Sequence, residues 1–390
     1  MRFTTTNDVL ANVLSMVGGA IIKKTPTPIL TGVKIEVQGD QAIVESFNYS
    51  GERRQIAFRV DKKAEDGVCV VNHERLSAIV GKLSSGSITL SLGSNKLTIR
   101  SGEYTGSIQT YQIEDWLFSG TDTEEFDGEK GFSIDLPKPG LLATVGLAAS
   151  SDESRPTLTN IMLRVNNPTP AVVSDFVLAA TDGYRLTTYQ QGTVGGDKVE
   201  MLIPKVVANG IAKIASVLKQ PATLRINEAY SRGQVYFEQA KEPLLWVKLT
   251  FSLSTDRFPN YESIVPLDSA ATLTMLCSPI ALQGAIDRAL TMVEEGNIGR
   301  VRLTFTQEKV LVERTTEDGT STESVSFLTD ASAAFEDRPG FSVLMGMSGK
   351  YLIEGLSIFD TLVTLRVTQP SRPLKLTNGD WTHVIMPMSL

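Results

Sequence analysis

Histidine, cysteine and long apolar runs are what this chain has least of. Its 390 residues include 2 histidines and 2 cysteines. Cys69 and Cys277 cannot build a disulfide framework, so a reducing compartment is expected. A zinc site or a Ser-His-Asp triad would have to rest on His73 or His383. His73 opens a helix-like stretch and His383 lies in an alternating strand, settings in which packing is the commoner role. Gly81-Lys82 and Gly349-Lys350 lack the upstream glycine and following hydroxyl of a phosphate-binding loop, and no Gly-x-Gly-x-x-Gly follows a strand. No enzyme chemistry, metal or cofactor is therefore expected. No segment approaches the roughly 18 apolar residues of a membrane span. Met1-Arg2-Phe3-Thr4-Thr5-Thr6 does not open a signal peptide, so the expected location is the cytoplasm, with no membrane partner.

Apolar residues make up 42% and charged residues 21%, an ordinary globular composition, and the length suits two or three domains. Lys and Arg number 37 against 44 Asp and Glu, a net charge of −7, which at first argues against a nucleic-acid partner. The distribution of that charge depends on a repeat. Six times a short strand leads into an amphipathic helix and then into alternating strands. The helices are expected near Asp8 to Val17, His73 to Leu83, around Leu141 to Leu147, Val207 to Leu218, Ile280 to Val293 and Gly349 to Phe359. Val207, Ile211, Ile214 and Leu218 place one apolar face on the fourth, behind Pro204. The sixth unit is expected to open at Phe341. Turn-rich stretches at Gly120 to Gly128 and Val265 to Asp268 divide the chain into domains at 1–127, 128–267 and 268–390. The expected class is α+β, in three tandem copies.

Windows around the six helices carry ten basic and four acidic residues, a balance of +6 that leaves −13 elsewhere. The fourth helix contributes Lys205, Lys213 and Lys219 with no acid. Mildly basic helices on an acidic body make a weak, sequence-blind surface for a phosphate backbone. The candidate DNA-facing residues are Lys24, Arg75, Lys82, Lys138, Arg155, Lys205, Lys213, Lys219, Arg288 and Lys350.

Four segments carry a resemblance: Pro28-Ile29-Leu30-Thr31-Gly32-Val33, Ala180-Thr181-Asp182-Gly183-Tyr184-Arg185-Leu186, Asp256-Arg257-Phe258-Pro259-Asn260-Tyr261, and Val384-Ile385-Met386-Pro387-Met388-Ser389-Leu390. In this order and spacing the chain resembles the bacterial sliding clamps, the β subunits of DNA polymerase III. The resemblance implies three clamp domains, each with two helices packed on antiparallel sheets. It implies a head-to-tail homodimeric ring around double-stranded DNA that tethers the replicative polymerase. It also implies a groove for short peptides of polymerases, clamp loaders and repair proteins. Carried over by position, the groove comprises Leu158, Thr181, Gly183, Tyr184, Arg185, Leu186, Pro259, Ile264, Ile298, Ser348, Tyr351, Pro373, Val384, Ile385, Met386, Pro387 and Met388. Leu158, Leu186, Ile298 and Met386 are the expected apolar walls, and flexible methionines suit several ligands. Lys24 and Arg155 match basic positions of the family, and Ile108, Met292 and Val293 match its dimer contact. Tyr184, Ser263, Ser348 and Ser389 depart from common family residues, as does Gly106, which stands where an aromatic is frequent. The competing expectation is a monomeric scaffold of the same fold that binds peptides without encircling DNA.

Overall fold

The computed structural model describes residues 1–61, 64–116, 131–166, 172–193, 198–238, 243–292, 299–306, 308–317, 319–328 and 342–389. Ile298, Val293, Phe341 and the Gly120 to Gly128 boundary lie outside them.

From the N-terminus the elements are β1 (Arg2–Thr6), α1 (Asn7–Val17), β2 (Gly32–Gln38), β3 (Gln41–Phe47), β4 (Arg53–Arg59), β5 (Gly67–Asn72), α2 (His73–Val80), β6 (Ser87–Leu92), β7 (Lys96–Ser101) and β8 (Tyr104–Tyr111). Next come β9 (Phe132–Asp135), α3 (Leu141–Gly146), β10 (Asn160–Asn166), β11 (Phe176–Thr181), β12 (Arg185–Gln191), β13 (Lys198–Pro204), α4 (Lys205–Leu218), β14 (Thr223–Ile226), β15 (Arg232–Glu238) and β16 (Leu244–Ser252). The last third holds β17 (Leu273–Cys277), α5 (Pro279–Leu290), β18 (Arg300–Phe305), β19 (Lys309–Thr316), β20 (Gly319–Ser326), β21 (Val343–Ser348), α6 (Gly349–Leu356), β22 (Val363–Val367), β23 (Leu374–Asn378) and β24 (Trp381–Ile385). A strand, a helix and three strands thus recur six times among the described residues.

The local chemistry sets the helix ends. The side chains of Thr6, Asn72, Ser278 and Ser348 accept from the backbone N–H of Val9, Arg75, Ala281 and Tyr351, capping α1, α2, α5 and α6. Three helices stop earlier than their apolar periodicity implies. Gly81, Thr291 and Ser357 turn the chain out of α2, α5 and α6, so Lys82 and Leu83, then Met292, then Ile358 and Phe359 follow the helices. At the end of α4, Lys219 adopts a left-handed φ of 53° while the Gln220 N–H donates to the Ala215 carbonyl. That is the usual glycine-favouring helix stop, here made by a lysine.

The chain packs as two compact units: residues 1–142, 167–174 and 206–255, and residues 143–166, 175–205 and 256–390. The first contains a twelve-stranded sheet in the order β1-β6-β7-β8-β5-β2-β3-β4-β16-β15-β14-β9. The second contains an eight-stranded sheet, β13-β10-β11-β12-β24-β23-β22-β17, and a four-stranded sheet, β20-β19-β18-β21. Two antiparallel pairings join the strands farthest apart in sequence among the described residues. In the first unit β16 pairs with β4, and in the second β24 pairs with β12. Strands β4 and β12 hold the same place in the repeat, as do β16 and β24.

Each of these junctions encloses an arginine. Arg54 of β4 is 2% exposed, and its guanidinium donates to Glu52 Oε1 at 2.8 and 2.5 Å and to the Met16 carbonyl at 2.9 Å. It lies against Gly19 and Gly210, where any side chain would collide with it. Arg185 of β12 has the corresponding place in the second unit. Both histidines serve packing. His73 Nε2 meets the Leu14 carbonyl at 2.9 Å, and burial pulls its pKa down. His383 is 1% exposed against Gly355, with Nδ1 2.8 Å from Thr187 Oγ1.

Candidate functional site

The turn between β11 and β12 is built by its own side chains. Thr181 Oγ1 accepts from the Gly183 N–H at 3.0 Å and donates to the Arg185 carbonyl at 2.6 Å. Asp182 Oδ1 accepts from the N–H groups of Tyr184 and Arg185 at 2.9 and 3.0 Å. Gly183 bears the positive φ of 93° that this tight path requires. Arg185 then reaches inward. Its Nε donates to Asp182 Oδ2 at 3.0 Å, Nη2 donates to the Leu147 carbonyl at 2.7 Å, and Nη1 pairs with Glu354. The guanidinium stands 4.3 Å from the centroid of the Tyr351 ring. Burial and the Asp182 charge push the Tyr351 pKa up.

This turn binds the C-terminal strand. Arg185 and Leu186 pair with Ile385 and Val384, and the Met386 N–H donates to the Tyr184 carbonyl at 2.8 Å. Two residues on, the Met388 N–H donates to the Gly346 carbonyl at 2.8 Å, and Arg300 Nη1 donates to the Ser389 carbonyl. Leu186 and Val384 are buried with Met162, Val177, Leu202, Phe258 and Tyr261, so they form the floor and not the wall. Tyr184 (61% exposed), Ile264 (48%) and Met386 (38%) are the apolar groups left at the surface, and Pro259 is exposed beside Phe258. Leu158, Tyr351, Pro387 and Met388 are half-buried; Thr181, Pro373 and Ile385 are buried. Ser348 caps α6, a role its hydroxyl fills as an asparagine would. The sequence reading missed Asp182 and Glu354 as site residues, although the Thr-Asp-Gly spacing already announced an Asx-type turn.

The basic candidates divide. Arg75, Lys205, Lys213, Arg288 and Lys350 lie on helices, whereas Lys24, Lys82, Lys138, Arg155 and Lys219 lie in the flanking loops. Arg288 is spent on Glu323 at 2.6 Å, and Arg155 lies 3.7 Å from Asp152. Lys205 is half-buried and donates to the Ala149 carbonyl at 2.8 Å; burial, then the nearby Arg185, lowers its pKa. Lys24, Arg75, Lys82, Lys213, Lys219 and Lys350 are exposed, and no acid among the described residues pairs with them. A cavity of about 470 Å³ between α1, α2 and α4 brings Lys213 to Lys23, a cation the sequence reading did not single out.

The expected dimer residues lie beside open strand edges. Among the described residues, β8 pairs along Tyr104 to Gln109 only with β7, and β20 pairs only with β19. Ile108 is buried within its own unit, so the edge presents Tyr104, Thr105 and Ser107. The Tyr104 ring lies over Gly106, filling from two residues upstream the space a side chain at 106 would take. Met292 is half-buried, with its sulfur toward Gly319 at the start of β20.

Among relatives, the chain is 25% identical to the beta sliding clamp of Bacillus subtilis strain 168, over 100% of this chain and 99% of that one. The sliding clamp of Bartonella birtlesii bound to griselimycin superposes with a TM-score of 0.80 at 20% identity, each chain fully covered. The Helicobacter pylori beta clamp bound to a DNA ligase peptide does so at 0.77 and 16%, again over both whole chains. These likenesses show the fold. The family models for the DNA polymerase III beta subunit match at both ends, the N-terminal domain over residues 1–118 and the C-terminal domain over residues 262–389. With the turn-and-tail site lying partly within the second match, the chain belongs to the DNA polymerase III beta subunit, or sliding clamp, family.

Proposed function

We propose that this protein is a DNA sliding clamp: two copies close head to tail around duplex DNA and tether the replicative polymerase and other replication and repair proteins. One observation carries the ring. The repeat supplies six strands of one kind, and among the described residues four of them pair within the chain, β4 with β16 and β12 with β24. The strands left over, β20 and β8, both have open edges. Pairing β20 of one copy with β8 of another, twice, closes a two-chain ring with a single kind of interface. In this reading the domains are 1–127, 128–267 and 268–390, and the chain works without a catalytic site.

Tethering by encirclement needs little affinity, since a polymerase held on the ring rebinds before it diffuses away. The unpaired basic side chains on and beside the helices suit weak, sequence-blind contact with phosphates. The exposed lip of Tyr184, Ile264 and Met386 is the proposed seat of partner peptides; the Helicobacter pylori relative is a clamp bound to such a peptide, from DNA ligase. Light scattering tests the ring: the mass should be about twice the 42.4 kDa of one chain. Circular DNA should then retain the loaded protein at salt that strips it from linear DNA. A monomer that binds peptides and leaves both DNAs alike would establish the scaffold reading instead.

A further inference from the structure

The eight-stranded sheet has a second face, turned away from α6. His383 and Arg185 point toward that helix, so strand alternation sends Thr382, Val384, Leu186 and Thr188 to the opposite side. Cross-strand register then lays out two rows on this face. One runs Leu186, Val384, Lys375, Arg366; the other runs Thr188, Thr382, Thr377, Thr364. Four threonines and two adjacent cations in register make a polar floor unlike the apolar faces elsewhere in the unit.

The floor is recessed. A cavity of about 700 Å³ is lined by Thr361, Thr364, Arg366, Thr377 and Asn378, with Leu362 at its rim. A neighbouring cavity of about 570 Å³ shares Asp268, Lys375 and Thr382 with it. Such volumes suit a small ligand. The charges inside do not balance. Lys375 Nζ and Arg366 Nε both approach the same atom, Asp268 Oδ1, at 2.6 and 3.4 Å. Among the described residues no second acid pairs with either cation. Lys375 is buried, 9% exposed, and the guanidinium of Arg366 donates to Thr377 Oγ1 at 2.5 Å. Two preorganised cations thus share one carboxylate oxygen of a mostly exposed residue at the start of a short 3-10 turn, and Lys375 Nζ also donates to the Pro266 carbonyl at 3.0 Å. Arginine so placed is suited to oxyanions.

We propose that this trough is a second ligand site, distinct from the peptide lip, which takes an oxyanion, carboxylate or phosphate, on Arg366 and Lys375. The rest of the ligand lies along the threonine row. Asp268 is its resident competitor, and the site does not depend on the clamp reading.

Calorimetric titration at matched ionic strength, with inorganic phosphate in one arm and acetylated triglutamate in the other, tests this. Saturable binding is expected in one arm, and the arm that binds assigns the source. Arg366→Gln should weaken it by roughly tenfold or more. Thr382→Phe should block it by filling the trough while keeping both cations. Asp268→Asn should tighten it, which a merely structural ion pair would not do. Met386→Ala should leave it unchanged. Absence of saturable binding in both arms, or equal affinity in the native protein, Arg366→Gln and Thr382→Phe, would overturn the proposal.

Discussion

Replacing Arg185 by methionine is the sharpest perturbation of the turn-and-tail site, because methionine keeps the stem's bulk and removes the charge. The guanidinium is anchored by Asp182 at 3.0 Å, by the Leu147 carbonyl at 2.7 Å, by Glu354 and by the Tyr351 ring. Its side chain is 7% exposed, against 13% for Asp182 and 28% for Glu354. Breaking a buried ionic network costs about 3–5 kcal/mol. Asp182 keeps its two backbone N–H donors and Glu354 can turn to water, so the low end, about 3 kcal/mol, is the reasoned value. A chain of two compact units need not unfold in one step, so the assay is hydrogen exchange. The Met386 N–H, held by the Tyr184 carbonyl, is the reporter. Its protection should fall by roughly 150-fold, which is about 3 kcal/mol. Glu354→Gln should cost far less, and the double variant should show a coupling of about 1 kcal/mol or more. Protection within about twofold of the native value in Arg185→Met would refute the idea that this arginine fastens the tail strand.

Other outcomes are checkable in the same way. Burial, and then the nearby Arg185, lower the His383 pKa to about 3, below its ordinary value of 6.5. The unfolded chain then binds the proton and the folded one resists it, so stability is whole above pH 6.5 and declines as pH falls from there toward 3. Between pH 7 and 5 the second unit should lose about 2 kcal/mol by denaturant titration, a loss absent in His383→Gln. Lys219→Gly should raise the melting temperature by relieving a left-handed φ worth about 1 kcal/mol. Gly210→Ala, normally favourable in a helix, should instead destabilise by about 2 kcal/mol, because a methyl there would overlap the Arg54 guanidinium; an unchanged melting temperature would contradict that packing.

The order of strands and helices was legible in the sequence because period-two and helical patterns alternate cleanly, as in Ser87 to Leu92 after the second helix. Helix ends were not, since Gly81 and Ser357 end their helices through local backbone geometry that apolar spacing ignores. The Thr-Asp-Gly turn could be read locally, as every partner that shapes it lies within four residues. Its tie to Glu354 could not, for those residues are 169 positions apart and meet only through the β12–β24 pairing. The same distance problem hid the demotion of Leu186 from wall to floor, because the residues that cover it, Phe258 and Tyr261, come from a remote loop. Counting charges by helix also overstated the basic surface: Arg288 is neutralised by Glu323 of β20, invisible from its own helix.

The open edges of β8 and β20 carry a liability as well as a use. An unpaired strand can template any passing strand, and flat apolar edges seed aggregation. Here β20 reads Gly-Thr-Ser-Thr-Glu-Ser-Val-Ser and the open stretch of β8 reads Tyr-Thr-Gly-Ser-Ile-Gln. Hydroxyls dominate both, Ile108 faces inward and Val325 is buried. In the proposed ring, a newly made chain awaiting its mate would therefore show hydrogen-bonding backbone without a sticky apolar stripe. On that reading its edges would favour a well-matched second copy while giving misfolded neighbours little to hold, so the same polar side chains would serve both protection before assembly and selectivity during it.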